Sequence, residues 1–189
     1  MRLPPLPPDG LAPDLRSVHD TIVDLMVRRQ PEIIAQDAQG ALVGPFPAML
    51  HFPRFGIPAL RLLAAIGTEA RLPAGVRETV ILTVGARFNA RYELYAHEIM
   101  GKVAGLTAGQ IATLAAGGRP SDLGDETAAA HDLARALLDG RILPASTYER
   151  ATDLLGRDGV GELVFLIGAY CLIAMALNCF DVPVPELGS

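Results

Sequence analysis

The chain has 189 residues, half of them apolar, a formal charge of −5 and a pI near 5.3. That length and apolar content suffice for one domain with a sizeable buried core, and the acidic balance lacks the basic footprint that nucleic acid or an anionic membrane surface demands. Two cysteines, Cys171 and Cys179, match neither the spacing of a CxxC redox pair nor that of a zinc knuckle, and read as buried free thiols in a reducing cytosol.

The N-terminal stretch MRLPPLPPDGLAPD has one arginine and no continuous apolar run. Its prolines exclude a regular helix, so it reads as an extended arm and not as a signal peptide. Asp14 is placed to cap a helix reaching about Gln30, which Pro31 and the segment through Gly44 break. The proline-punctuated link GPFPAMLHFPRFG leads to a helix from about Ile57 to Ala70. Pro73 opens the helix that carries Glu78, and a second follows through Ala104 with Gly105 as its stop. Thr107 caps a short helix, TAGQIATLAAGG, that ends in paired glycines. Helices near residues 125–140 and 144–156 precede a long apolar run. Helix formers fill these segments and period-two alternation is scarce, which predicts an all-α fold. Residues 1–55 are expected to form the arm, a helix and the link, and residues 56–189 a single helical core.

The run from Leu163 to Phe180 is eighteen residues without a charge, long enough for a membrane span. No Lys or Arg flanks it closely, Glu162 precedes it and Asp181 follows, so the cationic anchoring of a span is absent. The expectation is a buried central helix, completed by another subunit, and no membrane. An internal echo accompanies it: GVRETVILTVGARF from Gly75 reappears as GVGELVFLIGAYCL from Gly159. Two related helical halves are therefore expected. Glu78 is matched by Glu162, whereas Glu93 falls opposite Leu177 and His97 opposite Asp181, so only the first half carries the polar set.

Glu78, Glu93 and His97 place two carboxylates and an imidazole in one apolar helical region. Glu93 and His97 are four apart and neighbours on one helix face. On a single unbroken helix Glu78 would lie roughly 28 Å from His97 at about 1.5 Å per residue. If the chain reverses near Phe88 and Asn89, an antiparallel pair brings them to one level. An imidazole can donate and recover a proton near neutral pH while a carboxylate fixes its tautomer. Arg77 or Arg91 could anchor a substrate carboxylate bidentately, Tyr92 and Tyr95 could donate to an oxyanion, and His51 could line a pocket. His19 and His131 read as structural or exposed, and Arg87 as part of a solvated face. A lone ExxxH lacks the paired spacing of strong zinc motifs, so neither metal nor other cofactor is expected.

The segments GPFPAMLHFP, RETVIL, YELYAH, AGLTAGQI and ELVFLIGAYCLIAMALNCFDVPVPE together resemble the carboxymuconolactone decarboxylase and AhpD-like alkylhydroperoxidase superfamily. The resemblance implies an all-helical bundle assembled as a homotrimer or homohexamer in the cytoplasm. The peroxidase branch has a CxxC pair where this chain has Ala90 and Glu93, so no peroxidatic thiolate is present there. The decarboxylase branch has the pattern of Arg77, Glu78, Glu93 and His97. It implies a cofactor-independent carboxy-lyase acting on a small carboxylated lactone or related oxoacid, with His97 moving the proton, Glu93 orienting it and Glu78 assisting. The alternatives are a peroxiredoxin-type antioxidant activity by family inheritance and a non-catalytic oligomeric binding protein.

Overall fold

Prolines and glycines divide the chain into the helices of the computed structural model, which describes residues 1–24 and 31–185. After a 3-10 turn at Pro8–Gly10 come α1 (Pro13–Ile22), α2 (Phe46–His51), α3 (Pro53–Glu69), α4 (Ala74–Phe88), α5 (Arg91–Val103), α6 (Ala108–Ala115), α7 (Asp125–Leu138) and α8 (Ala145–Cys179). The chain is all-α: among the described residues the only β feature is one bridge between Gln36 and Leu42.

Several boundaries differ from the sequence expectation for local reasons. Ala12, not Asp14, is the N-cap of α1. Pro13 takes the first helical position, where a missing N–H costs nothing, and Asp14 sits in the first turn. The expected continuation of this helix over residues 25–30 lies outside the described residues. α3 starts at Pro53, again a proline at a helix start. The 55/56 boundary therefore falls inside α3, and Ile22, Ile33, Leu42 and Leu50 share one hydrophobic cluster with α4 and α8. Thr107 caps α6 as expected, in a reciprocal capping box with Gln110. α8 contains a non-helical break at Gly156, with φ 72° and ψ 166°, a conformation essentially restricted to glycine. It separates the helix expected over residues 144–156 from the apolar run.

α4 is the central helix. Thr79, Val80, Ile81, Leu82, Thr83, Val84 and Gly85 are all buried, so it is covered on every side, by α5, α6, α7 and α8. The apolar helix α8 is covered on one side only. It is long and apolar enough to cross a membrane, and 44 % of its most apolar window is buried. Val164, Phe165, Leu172 and Met175 stand exposed on it, so within one chain the helix expected to be buried is covered only in part.

The N-terminal arm docks on the end of α8. Arg2 donates its backbone N–H to the Phe180 carbonyl at 2.8 Å and its guanidinium to the Cys179 carbonyl at 2.7 Å. A cation on the last carbonyls of a helix satisfies acceptors that have no intrahelical donor.

The turn between α4 and α5 rests on Asn89, which adopts the left-handed conformation with φ 49° and ψ 43°. Ala90 N–H returns to the Gly85 carbonyl at 2.9 Å and Asn89 N–H to the Ala86 carbonyl at 3.2 Å, so the orphan carbonyls of α4 are closed locally. Left-handed backbone costs most side chains roughly 1–2 kcal/mol, and Asn and Gly least. Urea unfolding should therefore find Asn89→Val destabilised by about 1–2 kcal/mol, with Asn89→Gly close to the parent.

Candidate functional site

The reversal at Asn89 sets α4 and α5 antiparallel, and this brings Glu78 to His97. His97 Nδ1 lies 2.7 Å from Glu78 Oε2, across nineteen residues of sequence. A carboxylate accepts only, so Nδ1 carries the hydrogen. Nε2, for which no hydrogen bond is formed among the described residues, is then the lone-pair nitrogen. Both side chains retain a little accessible surface, 14 % for His97 and 13 % for Glu78.

The tertiary contact reverses the roles expected of the two carboxylates. Glu93, one turn before His97 on the same helix, does not hydrogen-bond it. It is 2 % exposed, and neither carboxylate oxygen has a hydrogen-bond partner. Glu93 stands at the third position of α5, where it would normally reach back to the N-cap N–H. That N–H, on Ala90, is already donated to Gly85. Space for the carboxyl exists because Gly85 has no side chain: a Cβ there would approach Glu93 Oε1 to 3.3 Å and Leu94 Cδ2 to 3.1 Å. Burial without a partner penalises the charged form and pushes the Glu93 carboxyl well above the usual carboxylate range.

The remaining expected residues divide. Arg77, adjacent to Glu78, has a buried Nε with no hydrogen-bond acceptor, and forms no ion pair among the described residues. Arg91 is engaged elsewhere, reaching Asp181 Oδ1 at 3.2 Å in a cleft with Phe88, Asn89 and Leu177. His51 is engaged with the N-terminal arm, its Nε2 meeting the Pro4 carbonyl at 2.9 Å. Tyr92 is buried and its hydroxyl donates to the Ile34 carbonyl at 2.8 Å, so it is not free for a substrate oxyanion. Tyr95 takes the Ile34 N–H at 3.4 Å, and the two tyrosines pack edge to face and clamp that segment. His19 and His131 are buried; His19 Nε2 is 2.9 Å from the Gly40 carbonyl. No three His, Cys, Asp or Glu side chains among the described residues converge on a metal-binding arrangement.

One residue of the site escaped the sequence reading. Tyr170 of α8 packs edge-on against His97, with ring centroids 5.0 Å apart and planes at 85°. Burial raises its phenol pKa first, and the charges of Glu78 and Glu93 raise it further while Arg77 opposes them. The available signal was a single tyrosine in an uncharged apolar run, and it gives no indication of which helix the ring meets. Its neighbour Cys171 also feels Glu93, and its thiol is pushed up by burial and by that carboxylate.

The sequence echo also acquires a structural content. Both echoed segments are helical and α4 packs on α8. Where α4 ends at Phe88, α8 continues unbroken to Cys179, so the second segment forms no hairpin. Glu162, the counterpart of Glu78, accepts the Arg71 and Leu72 N–H groups at 2.9 and 3.2 Å, and serves the junction between α3 and α4.

Glu93 makes stability depend on pH. Its folded pKa is raised, so folded protein retains the proton where unfolded chain has released it. The contribution is intact below the ordinary value of 4.5 and is lost as pH rises from there toward the folded value. Denaturant titrations at several pH values should show Glu93→Gln gaining stability relative to wild type from pH 4.5 upward. A pH-independent difference would mean that the carboxyl titrates normally.

The chain is matched by no protein-family model, no curated protein and no solved structure.

Proposed function

We propose that this chain is an acid/base enzyme of the carboxymuconolactone decarboxylase type, with an AhpD-like helical arrangement, acting on a small carboxylated lactone or related oxoacid. The observation that carries the reading is the 2.7 Å contact between His97 Nδ1 and Glu78 Oε2. It fixes the tautomer and leaves Nε2 to exchange a proton with a substrate, the arrangement a general acid/base requires. Glu78 is the orienting carboxylate. Arg77 is the better anchor for a substrate carboxylate, because Arg91 is already paired with Asp181.

In the reaction the bond between the substrate carboxylate and its carbon breaks and carbon dioxide leaves. The released electron pair moves into the conjugated lactone carbonyl as a dienolate. His97, protonated at Nε2, returns a proton to carbon, and solvent restores the imidazolium. Glu93, whose burial favours the neutral acid, supports the same cycle as a second proton carrier beside the ring.

Two features bear on the wider reading. The exposed row Val164, Phe165, Leu172 and Met175 on α8 supports assembly with further copies and fits a purely structural oligomer equally; the homotrimer or homohexamer and the cytoplasmic setting belong to the proposed family reading. Thiol peroxidase chemistry is poorly supported. Cys171 and Cys179 lie on one continuous helix, about 12 Å apart along its axis at ~1.5 Å per residue, beyond disulfide reach. The Cys171 thiol is also disfavoured as thiolate.

With a panel of carboxylated lactones, followed by carbon dioxide release and by NMR of the product, His97→Ala should lower kcat by about 10²- to 10⁴-fold. Glu78→Gln should lower it by a smaller factor. Equal rates for wild type and His97→Ala on every accepted substrate would end the proposal. Replacing both cysteines with serine should leave the lyase rate unchanged, whereas peroxide turnover that vanishes in the double variant would favour the antioxidant alternative.

A further inference from the structure

Three features converge on one ring in α8. Tyr170 meets His97 edge-on at 5.0 Å, it is close enough to Arg77, Glu78 and Glu93 to couple to each of them when it is ionised, and its hydroxyl forms no hydrogen bond among the described residues. The other tyrosines near the site differ. Tyr92 and Tyr95 both direct their hydroxyls to the backbone of Ile34. Tyr170 is only partly buried as a residue, and its unbonded hydroxyl is not among the fully enclosed polar atoms.

We propose that Tyr170 is a catalytic residue of the His97 site, a phenol that donates its hydrogen bond to the oxygen on which negative charge accumulates when the substrate becomes a dienolate. The inference deepens the functional reading above and rests on it. The geometry assigns separate tasks to the three helices. α4 supplies Arg77 for the leaving carboxylate and Glu78 for the tautomer, α5 supplies His97 for the proton, and α8 supplies the donor for the oxyanion. A neutral phenol suits that task, and its surroundings keep it neutral: burial first, and then the Glu78 carboxylate, oppose loss of its proton. Donation strengthens as charge develops on the acceptor, so the contact favours the transition state over the bound substrate.

Solvent-deuterium exchange into a carboxylated butenolide, followed by NMR in heavy water, separates this inference from the reading it rests on. Tyr170→Phe retains the ring and removes the donor, and should lower kcat by about 10²- to 10³-fold with KM changed by less than about threefold. Exchange that His97→Ala abolishes but Tyr170→Phe leaves at the wild-type rate overturns the role of Tyr170 and spares the functional reading. Exchange that is indifferent to His97→Ala, or no faster with wild type than in buffer, overturns the functional reading. A second measurement needs no turnover. The absorption band of para-nitrophenolate moves to shorter wavelength when its oxygen accepts a hydrogen bond, and titration with wild-type protein should produce that shift while Tyr170→Phe does not. Equal shifts in the two proteins, or no binding by wild type, overturn the proposal. Tyr170→Leu, which also removes the ring, should in addition move the His97 ring nitrogen resonances, which Tyr170→Phe leaves in place.

Discussion

The left-handed residue Asn89 is the constraint on which the site depends. One residue with φ near 49° turns α4 back as α5, and the returned hydrogen bond from Ala90 to Gly85 sets the register of the pair. From the other side, Asn178 of α8 donates to the Phe88 carbonyl at 2.7 Å and covers the terminal acceptor of α4. With both ends of the turn closed, the nineteen residues between Glu78 and His97 become a 2.7 Å contact. A shift of one residue would rotate each helix by about 100° and separate the two side chains.

Among the described residues, the buried polar atoms without partners lie along this same hairpin, except for His131 Nε2 on α7. Arg77 Nε, the Thr79 hydroxyl and both oxygens of Glu93 are buried and unbonded. Each such group costs about 1–3 kcal/mol, and the surrounding apolar packing of α4 has to offset it. Folding alone offers no reason to retain these groups, since smaller apolar side chains would fill the space at lower cost. Their concentration on the hairpin that carries the His97 and Glu78 pair is what the proposed acid/base reading accounts for. It also explains why His97 and Glu78 keep a little solvent access while Glu93 has almost none. Proton exchange with solvent requires an edge, and a raised carboxyl pKa requires enclosure.

The long helix α8 does three jobs at once. Its buried side packs on α4 and contributes Leu163, Leu166 and Ala174 to the core. Tyr170 reaches the His97 ring from it. Its outer side carries the exposed apolar row. The Gly156 break allows the first of these by letting the preceding segment leave the helix axis. The arm at the N-terminus, held by His51 and by the last carbonyls of α8, ties the outer end of that helix to α2.

Much of this architecture was legible in the residues. Pro73, Gly105 and Thr107 mark helix ends by rules that act within one turn, and the reversal near Asn89 followed from the spacing of Glu78 and His97. These are local effects, decided by backbone φ, missing donors and side-chain caps. The partners of polar side chains were decided otherwise. Sequence proximity paired Glu93 with His97, but α4 delivered Glu78 to the imidazole first and Gly85 gave Glu93 a closed recess. Arg91, His51 and Tyr92 were likewise drawn to Asp181, Pro4 and Ile34, groups 90, 47 and 58 residues away. Tyr170 could not have been found, because its significance lies in a ring on another helix. Helix type and helix ends come from each residue's own backbone preferences, so the sequence determined them. Which side chains share a hydrogen bond depends on how close packing aligns separate helices, and only the tertiary structure decided that.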